Sequence, residues 1–400
     1  MLSVKEAEQI VLDNVCEFGT EIISFELSPG RIIAEDVFTD RDMPPFNRAT
    51  MDGIAIKYDA IAKGIKEFHI AGVQAAGDEP LLINDDSNCI EIMTGAALHD
   101  SLDTVIRYED LIIEHGKAKL KTEVISKWQS IHQKGVDKKK GELLIPSSSE
   151  IHPEEISILA SVGKTNVSVK KLPTVVIIST GDELVDINEN PNPFQIRRSN
   201  NYMVKAVLEK FHIIPEMMHI SDDLLHITRV IEDCLLKYDV IILSGGVSMG
   251  KFDHIPKVLV GSGVTTLFHK VKQRPGKPFF FGRNSSTIIF GFPGNPVSTF
   301  FCLYRYFIPW LNACLGKKPC PVLVAALQSN INFIPAFDYF IPVQLSFDHK
   351  AQLNALPIAG NGSGDFANLL NTHAFMELPA EQNNFAKGEI FRIWPFSSII

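Results

Sequence analysis

The residues best suited to chemistry in this chain sit where short apolar runs end. Val240-Ile-Ile-Leu243 is followed at once by Ser244-Gly245-Gly246-Val-Ser248-Met-Gly250. An unbroken apolar run bounded by turn residues predicts a strand buried on both faces. Glycines at its end lack a Cβ, so backbone N–H groups can approach a ligand closely. Three further runs end in a polar load: Thr180-Gly181-Asp182-Glu183, Ser221-Asp222-Asp223 and Phe292-Pro-Gly294-Asn295-Pro296-Val-Ser298, and Asp253 follows the first. In a parallel sheet these ends converge on one edge, where open α/β folds bind ligands. The acids among them could hold a hard cation such as Mg²⁺ through oxygen.

Near these ends lies His269-Lys270-Val-Lys272-Gln-Arg274-Pro275-Gly276-Lys277-Pro278, with four cations in eight residues of a chain whose net charge is −9. Lysines alone would describe a solvated loop. Pro275, Gly276 and Pro278 also fix the backbone, which a merely solubilising loop does not require, so the stretch predicts a local anion site. Asn295-Pro296 ahead of Ser298 is placed to cap the apolar helix expected over 296–315, turning its positive N-terminus toward the same anion. The histidines show no His-x-x-x-His or His-Glu-x-x-His spacing with nearby carboxylates, which argues against a zinc hydrolase. Gly246-Val-Ser-Met-Gly250 fits a nucleophile elbow by letter, but Asp253 and His254 follow too closely to build that fold.

The elements that must position these residues can be read from hydrophobic period. Four hundred residues with 45% hydrophobic content predict several domains. Residues 3–16 read as an amphipathic helix with a Ser3 cap and Glu6 three later. Residues 57–137 carry short alternating runs between turns, a mostly β domain. From 170 to 315 strands and helices alternate, the rhythm of a doubly wound domain, with a hairpin expected around Asn284. After Pro319 the strands return. The acidic balance disfavours nucleic acid. Six scattered cysteines without Cys-x-x-Cys point to a reducing compartment. The charged N-terminus is unlike a signal peptide, and no 18-residue apolar run occurs, so a cytoplasmic protein free of membrane is expected.

Together these pieces resemble the MoeA family of molybdopterin molybdenumtransferases, which includes the C-terminal half of gephyrin. The resemblance covers nearly the whole chain. It rests on Met51-Asp52-Gly, Ile92-Met-Thr94-Gly-Ala, Ser179-Thr-Gly-Asp-Glu183-Leu, Ser244-Gly-Gly-Val-Ser-Met-Gly, Arg274-Pro-Gly-Lys277-Pro, Pro293-Gly-Asn-Pro-Val-Ser298 and Gly362-Ser-Gly-Asp, in that order. It implies a split N-terminal domain (1–48 and 138–170), an inserted β domain (49–137), a MogA-like doubly wound α/β domain (171–317) and a C-terminal β barrel (318–400). It also implies the last step of molybdenum cofactor synthesis. Adenylylated molybdopterin and molybdate are bound, the phosphoanhydride is cleaved with release of AMP, and molybdenum passes to the dithiolene with help from Mg²⁺.

Carried over by motif position, Asp52, Thr94, Glu183, Asp222, Asp253, Lys270 and Arg274 would take reaction-site roles. Glu183, Asp222 and Asp253 would be the metal ligands among them. Ser244, Gly245, Gly246, Ser248, Lys277, Gly294, Asn295, Pro296 and Ser298 would hold the substrate. Read by themselves, Asp52-Gly53 is a turn and Thr94 a strand cap. The resemblance instead implies a homodimer whose site is completed by these two loops from the other subunit. Molybdopterin adenylyltransferase and molybdoenzyme apoproteins are candidate partners. Pro342 stands where relatives often carry an arginine, and Phe46-Asn-Arg-Ala-Thr replaces a more polar run. The competing functions are molybdopterin adenylylation, which the additional domains disfavour, and a non-catalytic dimeric scaffold, which the full set of acids and cations disfavours.

Overall fold

The structure, a computed structural model, describes residues 1–247, 254–319, 321–358 and 360–397. Its centre is a six-stranded sheet. Glu216–Ile220, Val175–Thr180, Val240–Ser244 and Ile288–Phe292 lie side by side and parallel, and Phe280–Arg283 and Thr265–Phe268 extend the sheet antiparallel. The continuous apolar runs are explained by burial on both faces. Val175, Ile177, Val240 and Ile242 enter one core with the helix Asn200–Glu209, while Val176, Ile178, Ile241 and Leu243 enter a second with Leu224–Lys237 and Ile255–Gly261. The period of two along each strand divides the cores. The hairpin expected around Asn284 forms, and Asn284 Oδ1 accepts from Thr287 N at 2.7 Å.

Flanking domains surround this sheet. Thr20–Ser24 pairs antiparallel with Asn166–Lys170, and Val37–Phe38 pairs with Leu143–Ile145, so two distant stretches share one small core. Between them in sequence, Gly53–Ile56, Glu67–Gln74, Asn88–Ile92, Thr104–Arg107, Leu111–Glu114 and Lys117–Leu120 form an inserted six-stranded sheet. At the C-terminus, Leu323–Leu327, Asp338–Phe347, Leu353–Pro357, Ala374–Leu378 and Ile390–Pro395 close into a five-stranded barrel, because Asp338–Phe347 pairs with both Leu353–Pro357 and Ala374–Leu378. Among the described residues no helix is long and apolar enough to cross a membrane.

The N-terminal helix Val4–Leu12 forms the expected capping box between Ser3 and Glu6, and buries Val4, Ala7 and Val11 against the α/β domain. The apolar helix expected over 296–315 is Pro296–Cys302, then a π-helical turn Leu303–Phe307, then Ile308–Cys314. That wide turn buries Leu303, Arg305, Tyr306 and Phe307. Arg305, 1% exposed, meets Glu8 Oε2 at 2.9 Å and lies 3.9 Å from the ring centre of Trp394 in the barrel. One guanidinium therefore joins N-terminal helix, α/β domain and barrel. Its Nε and Nη1 find no acceptor among the described residues, so its charge depends on Glu8 and the aromatic face. Glu8→Gln should lower stability by about 2 kcal/mol, the size of a hydrogen bond to a charged group, since Arg305 loses its opposing charge while Glu8 is itself partly exposed. A denaturant midpoint unmoved by the substitution would contradict this.

Candidate functional site

The parallel register brings the four polar strand ends together. Ser179 pairs with Ser244, Ser244 with Phe292, and Thr180 with Ile220, so the loops that follow leave from one edge. Asp222 N donates to Asp182 Oδ1 at 3.2 Å, joining two of these loops. Gly245 and Gly246 adopt φ of +92° and +67°, and Gly245 N donates to Phe292 O at 3.2 Å. At Gly246 a Cβ would approach Ile255 at 3.0 Å and collide with the Thr180 hydroxyl, so no side chain fits there. Asn200, at the start of its helix, ties the edge together. Its Nδ2 donates to Gly294 O at 2.7 Å and to Ser244 Oγ at 3.0 Å. Nothing but its helix-opening position marked Asn200 in the sequence.

Beside this edge, a cleft of about 800 Å³ opens between the α/β domain and the barrel, a size suited to a small-molecule ligand. Arg274, Lys277, Asn295 and Ser298 line it from the α/β side. Arg274 belongs to a two-residue strand, Gln273–Arg274, that joins the barrel by pairing parallel with Asp338 and Tyr339. The barrel side is mostly apolar, with Phe337, Tyr339, Ile341, Pro342 and Ile358, and the segment 360–365 closes one end. Arg274 packs 5.8 Å from the Tyr339 ring centre and Lys277 5.2 Å from that of Phe337, aromatic contacts that the sequence did not suggest. Arg274 and Lys277 are the only cations lining the cleft among the described residues.

The expected cap at Asn295 is corrected. Asn295 occupies the N-cap position, but its side chain makes no capping bond. Its Nδ2 instead donates to Ser363 Oγ at 2.7 Å, and Val297 N donates to Ser363 O at 3.1 Å. Pro296 has no N–H to offer, so the helix start is largely occupied by the Gly362-Ser-Gly-Asp segment rather than open to an anion. That segment is held by Asp365 Oδ2, which accepts from Asn361 N at 3.0 Å.

Other expected site residues lie elsewhere. Lys270 stands at the neck of the cation turn, where its carbonyl accepts from Leu2 N at 3.2 Å, and it does not line the cleft. Glu183 and Asp222 lie on neighbouring strand-end loops. Their oxygens suit Mg²⁺, yet among the described residues no three His, Cys, Asp or Glu side chains gather as a metal site needs. The described part of the site therefore does not by itself account for Mg²⁺. Ser248 and Asp253 lie outside the described residues. Asp52 and Thr94 are exposed in the inserted domain and bonded to one another. Asp52 Oδ1 accepts from Thr94 N at 2.6 Å and from Thr94 Oγ1 at 2.8 Å.

The family profile of the MoeA N-terminal region (domains I and II) matches residues 2–163, a probable molybdopterin binding domain matches 176–313, and the MoeA C-terminal region (domain IV) matches 324–396. A molybdopterin molybdenumtransferase of Synechocystis is 38% identical, with 98% of this chain and 99% of the relative covered. One from Haemophilus influenzae is 28% identical with both chains fully covered. The crystal structure of a molybdopterin biosynthesis MoeA protein from Pyrococcus horikoshii superposes with a TM-score of 0.86 at 27% identity, covering all of both chains.

The Asp52–Thr94 pair can be tested through its titration. The backbone N–H of Thr94, then its hydroxyl, hold the Asp52 carboxyl below the usual aspartate range by bonding its charged form. The interaction is therefore present above the ordinary carboxylate range and lost as pH falls through the lowered value. Thr94→Val should raise the Asp52 titration midpoint, read by NMR, while the backbone bond keeps part of the depression. An unchanged midpoint would show that the hydroxyl contributes nothing.

Proposed function

The chain belongs to the MoeA family of molybdopterin molybdenumtransferases of molybdenum cofactor biosynthesis, and from that premise we propose that it transfers molybdenum from molybdate to adenylylated molybdopterin with release of AMP. The observation that carries this is the cleft of about 800 Å³, because Arg274 and Lys277 face a largely apolar wall inside an acidic protein. Two anions must be held side by side: the molybdate oxyanion and the phosphorylated pterin. The cation turn is suited to the first, and its guanidinium can present two parallel N–H donors to an oxyanion. The strand-end backbone of Gly245, Gly246 and Gly294, with Ser244, is suited to the pterin phosphates. When bound, Mg²⁺ would neutralise charge at the phosphoanhydride, and Asp253 with Glu183 and Asp222 would be its ligands.

In this reading Arg274 and Lys277 bind and orient molybdate against the apolar barrel wall. An oxygen from molybdate or water takes the phosphorus as the P–O–P bond breaks and frees AMP, and molybdenum passes to the dithiolene as its two thiols lose their protons and molybdate gives up oxygen as water. Wild type supplied with adenylylated molybdopterin should release AMP only when molybdate is present. Arg274→Ala should need about ten to a hundred times more molybdate for the same rate, the range expected for one charge-assisted contact. Wild type that binds the pterin but releases no AMP with or without molybdate and Mg²⁺ would rule the reaction out.

The same reading makes the active protein a homodimer, with Asp52 and Thr94 of one copy completing the site of the other. In support, this exposed pair is already bonded together within its own domain, so it needs no rearrangement to meet a partner. Mixing Asp52→Ala and Arg274→Ala proteins under subunit exchange, at a molybdate concentration too low for either alone to turn over, tests it. A shared site gives mixed dimers one intact site and restores activity, whereas a site built within one chain leaves every mixed dimer inactive.

A further inference from the structure

The turn carrying Arg274 and Lys277 is exposed, yet its shape is set from beneath. Gln273 and Gly276 are buried while Arg274 and Lys277 are exposed, so the turn presents its cations and hides its fastening. Gln273 is 1% exposed. Its Nε2 donates to the Gly276 carbonyl at 2.9 Å, and its Oε1 accepts from the hydroxyl of Tyr306, also 1% exposed. Tyr306 stands in the π-helical turn, so the fastening runs to the body of the α/β domain rather than to another loop.

The turn has little room to choose another shape. Val271 N donates to Lys277 O at 3.1 Å and closes its neck. Gly276 has φ +85°, and a Cβ there would meet Cys302 Sγ at 2.7 Å and Gln273 Nε2 at 2.9 Å. Moving the Gly276 carbonyl would leave an amide unpaired in a dry interior, which is costly. Only an uncharged side chain of this length that both donates and accepts satisfies the two partners. Glutamate cannot donate when ionised, and methionine fills the volume with no donor.

We propose that Gln273, backed by Tyr306, is a positioning residue for the oxyanion site, holding the turn so that Arg274 and Lys277 converge on the cleft. This rests on the cleft being the place where molybdate binds. The amide itself does not touch the anion. It fixes where the two positive charges lie.

The test uses molybdate alone as probe, with equilibrium binding to the full chain measured for wild type, Gln273→Met, Tyr306→Phe and Arg274→Ala. Gln273→Met should bind about tenfold more weakly, the loss expected when one buried polar contact is broken. In turnover its KM for molybdate should rise by the same factor while kcat at saturating molybdate stays near wild type, because only binding has been loosened. If Gln273→Met does not fold, Tyr306→Phe, which removes a single hydroxyl, decides by the same readings. Wild-type affinity in the folded variant, with Arg274→Ala weakened, overturns the positioning role and leaves the cleft as the molybdate site. A variant that loses kcat with KM unchanged has lost folded protein rather than cation placement, and that also overturns it. Wild type that binds no molybdate removes the premise and the proposal together.

Discussion

The cleft exists because the barrel is held against the α/β domain at one distance, and buried aromatic surface provides most of that hold. Phe301, on the helix that starts at Pro296, lies 4.4 Å from Phe340 and 5.3 Å from Phe375 between ring centres, and all three are fully buried. Each such ring contributes roughly 1.5–3 kcal/mol by leaving water. The pairing of Gln273–Arg274 with Asp338 and Tyr339 adds few bonds and little net energy, but it sets register. A slip of one residue would turn Arg274 inward and Gln273 outward. Energy and alignment are thus supplied by different contacts, and the cleft needs both.

Part of the polar interior lies where the ligand loops begin. Among the described residues, Asn200, Asn201 and Thr180 each leave a buried side-chain oxygen without a partner, and all three stand at or beneath the carboxyl ends of the parallel strands. Below those ends the two central strands, Val175–Ile178 and Val240–Leu243, are wholly apolar. Unpaired buried oxygens are tolerated only where surrounding structure over-determines the site. Here the glycines supply that constraint, because Gly246 is pressed against Thr180 and Gly294 comes within 3.7 Å of Gly245 measured from its would-be Cβ.

Much of the fold was legible because its signals are local. Val240-Ile-Ile-Leu243 announces a buried strand by composition, Ser3 and Glu6 announce a helix start by spacing, and Asn284 announces a hairpin turn. The convergence of four strand ends then follows from parallel topology alone. What stayed hidden depends on partners far away in sequence. Leu353–Pro357 and Ala374–Leu378 complete the barrel, yet each is too short and too mixed in pattern to stand out. Asn295 looks like a cap and instead reaches Ser363, because the Gly362-Ser-Gly-Asp segment occupies the helix start. Gln273 reads as one more polar residue in a basic loop, and only the position of Tyr306 makes it a fastening. The resemblance supplied Asp52 and Thr94, whose residue types by themselves suggested a turn and a cap.

The lining of the cleft, Pro342 included, shows what the barrel contributes. Its side of the cleft offers Phe337, Tyr339, Phe340, Ile341, Pro342 and Ile358, none of them charged, and the one acid at the rim, Asp365, is engaged with Asn361. All positive charge in the described cleft therefore comes from the α/β side. An apolar wall facing the two exposed cations brings no competing charge, and an anion that displaces water against it meets a lower local dielectric, where the attraction between unit charges grows. In a chain of net charge −9, distant acids are screened within about 10 Å at ordinary salt, so they do little to offset two cations at close range. The barrel thus acts through enclosure. It makes Arg274 and Lys277 count for more than their number, provided they are held in place.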